Sequence, residues 1–237
     1  MSSFYKNAGG MVRPITKEEL QREIIARLDR GQTNLNDIDT SKIMDMSNLF
    51  YNYSCKDIDV SQWDVSSVRT MDYMFYNSIN FDCDLSKWDV SNVERMSGMF
   101  KGCKSFNSDL SRWNVSKVET MSSMFSSCRI FNSDLSEWNT SRVRRMDYMF
   151  LNCTSFNSDL SKWGVSNVQN MRNMFLNCHS FNSDLSKWDV SNVDDMENMF
   201  AYCENFVQDL SEWDVSNARF KYGAFNGSGI KKLPGGF

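Results

Sequence analysis

The sequence predicts an α/β solenoid, a stack of 25-residue coils wound as a right-handed spiral, each coil carrying one short strand and one short helix. Three observations lead there. Tryptophans stand at positions 63, 88, 113, 138, 163, 188 and 213, one every 25 residues, and they are all the tryptophans in the chain. A fixed period of this size marks a unit that cannot bury its own apolar face and stacks on copies of itself instead. Within a unit, apolar residues recur at helical spacing, as in Val118, Met121, Met124 and Phe125. The ends of the array depart from the pattern, as terminal repeats that shield a stack from water do.

Residues 1–33 are expected to form an N-terminal arm and helical cap. Ile15, Leu20, Ile24 and Leu28 mark one helical face, Thr16 with Glu19 makes a capping box, and Gly31 supplies the stop. Residues 34–225 hold the repeats. The first coil, from Asn34, is degenerate, with Ile38 where the others carry Trp and Leu49 where they carry Met. In the copy starting at Phe106, a strand is expected inside Asp109 to Trp113 and a helix over Val118 to Phe125. Ser116 with Glu119, and Ser91 with Glu94, have the spacing of capping boxes for those helices. Strands of successive coils then pair as a parallel sheet on one face, spaced by roughly 4.8 Å, with helices on the other. Residues 226–237 form a glycine-rich tail with Lys231 and Lys232 that either folds over the last coil or docks on a partner.

Stacking in register turns each repeat position into a ladder. Cys103, Cys128, Cys153, Cys178 and Cys203 share one position, while Cys55 and Cys83 lie off it. With no Cys-x-x-Cys pair and His179 as the only histidine, the column is a row of small buried thiols rather than a zinc site. Asn107, Asn132, Asn157 and Asn182 form a second ladder, expected to be buried and to bond the backbone of neighbouring coils. The third is acidic, running from Asp59 through Asp109 to Asp209. Carboxylates roughly 5 Å apart repel by on the order of 0.8 kcal/mol per pair even in water, so something must compensate them. Backbone N–H groups and the serine two residues on, such as Ser111, are the favoured source, with bridging Ca²⁺ the alternative. No cofactor is expected.

A net charge of −4 argues against sequence-independent binding of nucleic acid, which needs a basic stripe to displace counterions. No run of eighteen apolar residues occurs and Met1 to Gly10 has no signal-peptide core, so membrane insertion is not expected. The expected setting is soluble, cytoplasmic or virion-associated, with the cell surface reached only by another export route. Enzyme signatures are missing too: one histidine, no glycine-rich phosphate loop, no acid pair outside the repeat register.

The string Met-x-x-Met-Phe-x-x-Cys-x-Ser-Phe-Asn-x-Asp-Leu-Ser-x-Trp-Asp-Val-Ser-Asn-Val, at Met171 to Val193, closely resembles the BspA-type leucine-rich repeat. That repeat occurs in bacterial and mycoplasmal surface proteins and in some protists and giant viruses. The resemblance covers about Asn34 to Phe225. It implies a leucine-rich-repeat-like solenoid, and an adhesion or interaction role rather than catalysis.

Function is therefore sought where the copies differ. Arg142, Arg144 and Arg145 cluster in one coil and Asp194, Asp195 and Glu197 two coils on, a bipolar docking surface with Tyr73, Tyr148 and Tyr202 as exposed aromatic anchors. The expected activity is a non-enzymatic scaffold that binds another protein, the alternative being a structural component of a larger assembly such as a virion or protein shell.

Overall fold

The computed structural model describes residues 11–53 and 56–237. Cys55 and the opening Met1 to Gly10 lie outside the described residues. One α-helix is present among the described residues: α1, Lys17–Leu28. Its N-cap is Thr16, whose hydroxyl accepts from Glu19 N at 3.2 Å, while Glu19 reaches back to Ile15 N at 2.8 Å. Two backbone donors at the helix start are thereby satisfied. Leu20 and Ile24 are buried in the core, whereas Ile15 precedes the helix and is exposed. Gly31 has a φ of 72° just past the helix end.

Beyond α1 the chain stacks in 25-residue coils. Isolated parallel bridges join Asp45, Thr70, Arg95, Thr120, Arg145, Asn170, Asp195 and Phe220 in one unbroken column. Paired residues differ by 25 in number each time, so the repeat is a structural period as well as a sequence one. The rings follow suit. Trp113 and Trp138 are stacked at 6.5 Å, Phe125 and Phe150 at 5.7 Å, and Phe131 and Phe156 at 6.0 Å. Tryptophan, both phenylalanine columns, both methionine columns and the repeat cysteines are buried in one continuous core. No described helix is long and apolar enough to cross a membrane.

Among the described residues the coils contain no helices, which corrects the expectation for Val118 to Phe125. Alternate residues point their N–H at the following coil: Met121 to Arg145 O, Ser123 to Asp147 O, Phe125 to Met149 O and Ser127 to Leu151 O, at 3.0, 2.8, 2.9 and 2.6 Å. The residues between close turns onto their own coil, Met124 N to Met121 O and Ser126 N to Ser123 O, both at 3.1 Å. Ser123 and Ser127 have φ values of 58° and 65°, which no right-handed helix admits. A helix of two turns gains few internal bonds for a costly nucleus, whereas the stacked turns find a partner for every N–H from Ser123 to Cys128. The expected capping serines are recruited into the turns as well. Ser116 N bonds Asn114 Oδ1 at 3.2 Å and Glu119 N bonds Glu94 O at 2.8 Å.

Nor is there a strand inside Asp109 to Trp113. Asp109 Oδ1 accepts from Ser111 N at 2.9 Å and Trp113 N bonds Leu110 O at 3.1 Å, closing a turn. The acid ladder is compensated in this way, coil after coil. Hydrogen bonds from the serine two residues on hold the carboxyls of Asp84, Asp109, Asp134 and Asp159 below their ordinary range. The asparagine ladder bonds the next coil, Asn132 N to Asn107 Oδ1 and Asn157 N to Asn132 Oδ1 at 2.8 Å. Its members Asn107, Asn132 and Asn157 are exposed rather than buried, because the turn they brace lies on the outside of the coil.

At the far end, the tail folds onto the last coils. Leu210 N bonds Lys232 O at 3.3 Å, Lys232 Nζ pairs with Asp209 at 2.6 Å, and Phe237 packs edge-on against Phe225 at 4.9 Å.

Candidate interaction surface

A stack this regular leaves little room for individuality except on its outside. The bridge column reads Asp, Thr, Arg, Thr, Arg, Asn, Asp, Phe from Asp45 to Phe220, a different residue from each coil to the next. The tryptophan column does not vary from Trp63 to Trp213. Beside the bridge run three more variable columns: Arg69 to Arg219 one residue before it, Asp72 to Tyr222 two after it, and Tyr73 to Gly223 three after it. The bridge column and its neighbours thus gather four variable columns on one side of the stack.

Three clefts lie on this side. The first, about 420 Å³, is lined by Tyr73, Arg95, Lys101, Thr120, Arg145 and Tyr148 among others, with Ser97, Ser122 and Asp147 at its floor. A second and larger one, about 790 Å³, runs from Arg145 past Asn170, Asp194 and Asp195 to Phe220. Arg145 is common to both. The third is a notch between Glu119, Arg142, Arg144 and Asn167.

Seven of the nine expected site residues line these clefts, Glu197 and Tyr202 being the exceptions. Tyr73, Arg145 and Tyr148 come together in the first, and Arg145, Asp194 and Asp195 in the second. Tyr148 is half-buried, with its hydroxyl accepting from Arg172 Nε at 3.2 Å. Tyr202 stands apart, its ring lying over Gly227. That glycine has a φ of 67° and an added Cβ would meet the Tyr202 ring at 2.9 Å.

The two charged poles differ in kind. Glu197 is paired with Arg172, and Asp194 with Arg219, whose hydrogen bond holds the Asp194 carboxyl below its ordinary range. The acidic pole is therefore largely neutralised from within. Arg145 is tied to Asp147 at 3.1 Å, which raises its pKa further. Arg142 and Arg144, both exposed, have no carboxylate within ion-pair distance among the described residues. Their charge faces outward beside that of Glu119, which is exposed in the same notch.

Sequence reading missed Arg95, Lys101, Ser97, Thr120, Ser122 and Asp147. Their signal was available, since each lies a multiple of 25 residues from another variable position. Reading those positions as helix scattered them over different faces, whereas the ladder of turns puts them on one.

Two stretches, residues 21–138 and 119–232, match the family model described as Mycoplasma protein of unknown function, DUF285. No curated protein matches the chain in sequence. Among solved structures it is similar to the one titled "Crystal structure of TLR13-ssRNA13 complex", with a TM-score of 0.31 and 13% identity. That alignment covers 85% of this chain and 39% of the other, so the chain spans about two fifths of its length.

Proposed function

The chain belongs to the family described as Mycoplasma protein of unknown function, DUF285, and we propose that it is a non-enzymatic repeat scaffold that binds another protein through the variable side of its coils. The observation that carries this reading is the contrast between columns. Core positions repeat from coil to coil, while the bridge column changes at every step and its neighbouring columns at most steps. A purely structural stack has no use for that asymmetry. Tyrosine and arginine, the residues most enriched where binding energy concentrates, line the cleft between Tyr73 and Tyr148.

Within this reading the finer features fall into place as one arrangement. The repeats are of the BspA leucine-rich-repeat type, wound right-handed over residues 34–225, with residues 1–33 as cap and 226–237 as closing tail. Arg142, Arg144 and Arg145 form the basic contact, flanked by Tyr73 and Tyr148, with Asp194, Asp195, Glu197 and Tyr202 as outlying contributions.

The test is recovery of a specific partner by the immobilised chain, compared with its Arg144→Glu/Arg145→Glu variant. Loss of about 3 kcal/mol of binding is expected on reversing two interface cations. Unchanged recovery sinks the surface.

A further inference from the structure

Within the cleft between Tyr73 and Tyr148, the hydroxyls form a directed line. Ser97 Oγ lies 3.0 Å from Thr120 Oγ1, Thr120 Oγ1 lies 3.3 Å from Ser122 Oγ, and Ser122 Oγ donates to Asp147 Oδ1 at 2.8 Å. A carboxylate only accepts, and a hydroxyl has one proton to give. Asp147 therefore orients the whole line: Ser122 donates to it, Thr120 to Ser122, and Ser97 to Thr120. Every proton points toward Asp147, and the free valence at the other end, on Ser97, is a lone pair. The floor of the cleft accepts hydrogen bonds.

The rim does the opposite. Arg95 and Arg145 occupy the bridge column two coils apart, each side chain 58% exposed. Arg95 Nε is held by Asp72 at 2.7 Å, and Arg145 by Asp147 through Nε at 3.1 Å and a terminal nitrogen at 3.3 Å. These pairs fix the guanidinium groups while leaving most of their five N–H donors unused. Lys101, over the Tyr76 ring at 5.8 Å, adds a third cation.

A fitting ligand brings acceptors for the rim and a donor for the floor. A phosphate backbone offers acceptors alone and leaves the Ser97 lone pair without a donor. A neutral sugar leaves both guanidiniums unanswered. An acidic peptide supplies carboxylates and backbone N–H groups together, and bidentate pairing of carboxylate with arginine is a strong, oriented contact. Two coils span roughly 10 Å at strand-like spacing, a distance that an extended peptide covers in about three residues.

We propose that the cleft between Tyr73 and Tyr148 docks an acidic peptide segment of a partner protein, with carboxylates on Arg95 and Arg145 and a backbone N–H on Ser97. This assignment rests on the interaction reading above and names the partner's chemistry.

Fluorescence anisotropy with a labelled decapeptide, three Glu-Gly-Gly units followed by Glu, tests it against the matching lysine peptide and a ten-nucleotide single-stranded RNA. The glutamate peptide is expected to bind at low salt with a Kd under about 1 mM and to weaken by at least about tenfold in Arg95→Ala/Arg145→Ala, whose melting temperature serves as the folding control. Thr120→Val, which cuts the hydroxyl line without removing charge, is expected to weaken it by about threefold. No binding at about 1 mM, equal binding by the double alanine variant, or tighter binding of the lysine peptide or the RNA overturns the assignment. If the peptide fails while Arg144→Glu/Arg145→Glu still loses the protein partner, the cleft assignment falls and the interaction surface stands.

Discussion

The indole Nε1 of Trp138 donates to the carbonyl oxygen of Leu110, 28 residues earlier, at 3.0 Å. The same bond recurs at all seven tryptophans, from Trp63 on Leu35 to Trp213 on Leu185. These bonds point toward the preceding coil, whereas the alternate N–H groups of the turn ladder point toward the following one. Each coil is held from both sides. Trp138→Phe removes one of the two donors to the Leu110 carbonyl, leaving Trp113 N as its partner, and opens space beside Phe125, whose ring lies 6.3 Å away. Together these effects should cost about 3 kcal/mol in urea unfolding. A loss below about 0.5 kcal/mol would show that the indole column only fills space.

The positive-φ positions make opposite predictions for neighbouring coils. Ser123 pays the steric penalty of a left-handed backbone with a φ of 58°, so Ser123→Gly is expected to raise stability by about 0.5–1 kcal/mol. Gly98 holds the equivalent place one coil earlier, with a φ of 60°, and the Tyr73 ring lies 2.5 Å from where a Cβ would sit. Gly98→Ala should therefore lose about 2 kcal/mol or displace Tyr73. The two variants, compared by thermal melting, must move in opposite directions.

Those same positions explain how far the sequence could be read. The stack, its period and its core were legible because each inward column repeats one residue type, and burial of Trp138, Phe125 and Met124 needs no knowledge of backbone path. The path itself was misread. Val118, Met121, Met124 and Phe125 all face inward, as a helix would place them, yet they do so through turns. The contrary signal was the run of Asn48, Asn52, Asn77, Asn152, Asn173, Asn177 and Asn198, with Gly98 and Gly102, at the two left-handed places of each coil. Asparagine and glycine are the residues that tolerate such a backbone. Ser123 and Tyr148 at equivalent places obscured it. The site was only partly legible for the same cause: Arg145 stood out as a charge, but its cleft mates Arg95 and Thr120 become neighbours only once 25-residue spacing is read as adjacency.

Acid should unfold the stack progressively. Asp84, Asp109, Asp134 and Asp159 are held below the ordinary carboxylate range by bonds from the serine two residues on, and Asp209 is lowered to about 2 by Lys232 and Ser211. A lowered folded pKa means stability that is present above the unfolded value, near 3.9, and lost as pH falls through the folded one. The urea midpoint should stay level from about pH 7 to pH 5 and drop between about pH 4 and pH 2. Asp109→Asn keeps an oxygen for Ser111 N and should flatten that drop slightly. A midpoint already falling near neutrality would place the acid sensitivity elsewhere.

The thiol ladder sets the alkaline limit and gives the sharpest chemical probe of the stack. Cys128 Sγ lies 3.0 Å from Phe100 O and Cys153 Sγ 2.9 Å from Phe125 O, each thiol donating to the coil before it. A thiolate has no proton to donate and is stranded in apolar surroundings, so burial pushes Cys83 up to about 11 and Cys203 to about 12, with Cys128 and Cys178 raised well beyond the usual range. A raised folded pKa means stability that is complete below the unfolded value, near 8.5, and lost as pH climbs toward the folded ones. At pH 8 the six described thiols should resist a disulfide reagent in the folded chain and react only as urea unfolds it. Because coils are coupled mainly to their neighbours, thiols near the ends are expected to open before Cys128 and Cys153 at the centre. Rapid modification of Cys128 in the native protein would mean that the coils separate far more readily than a continuous core allows.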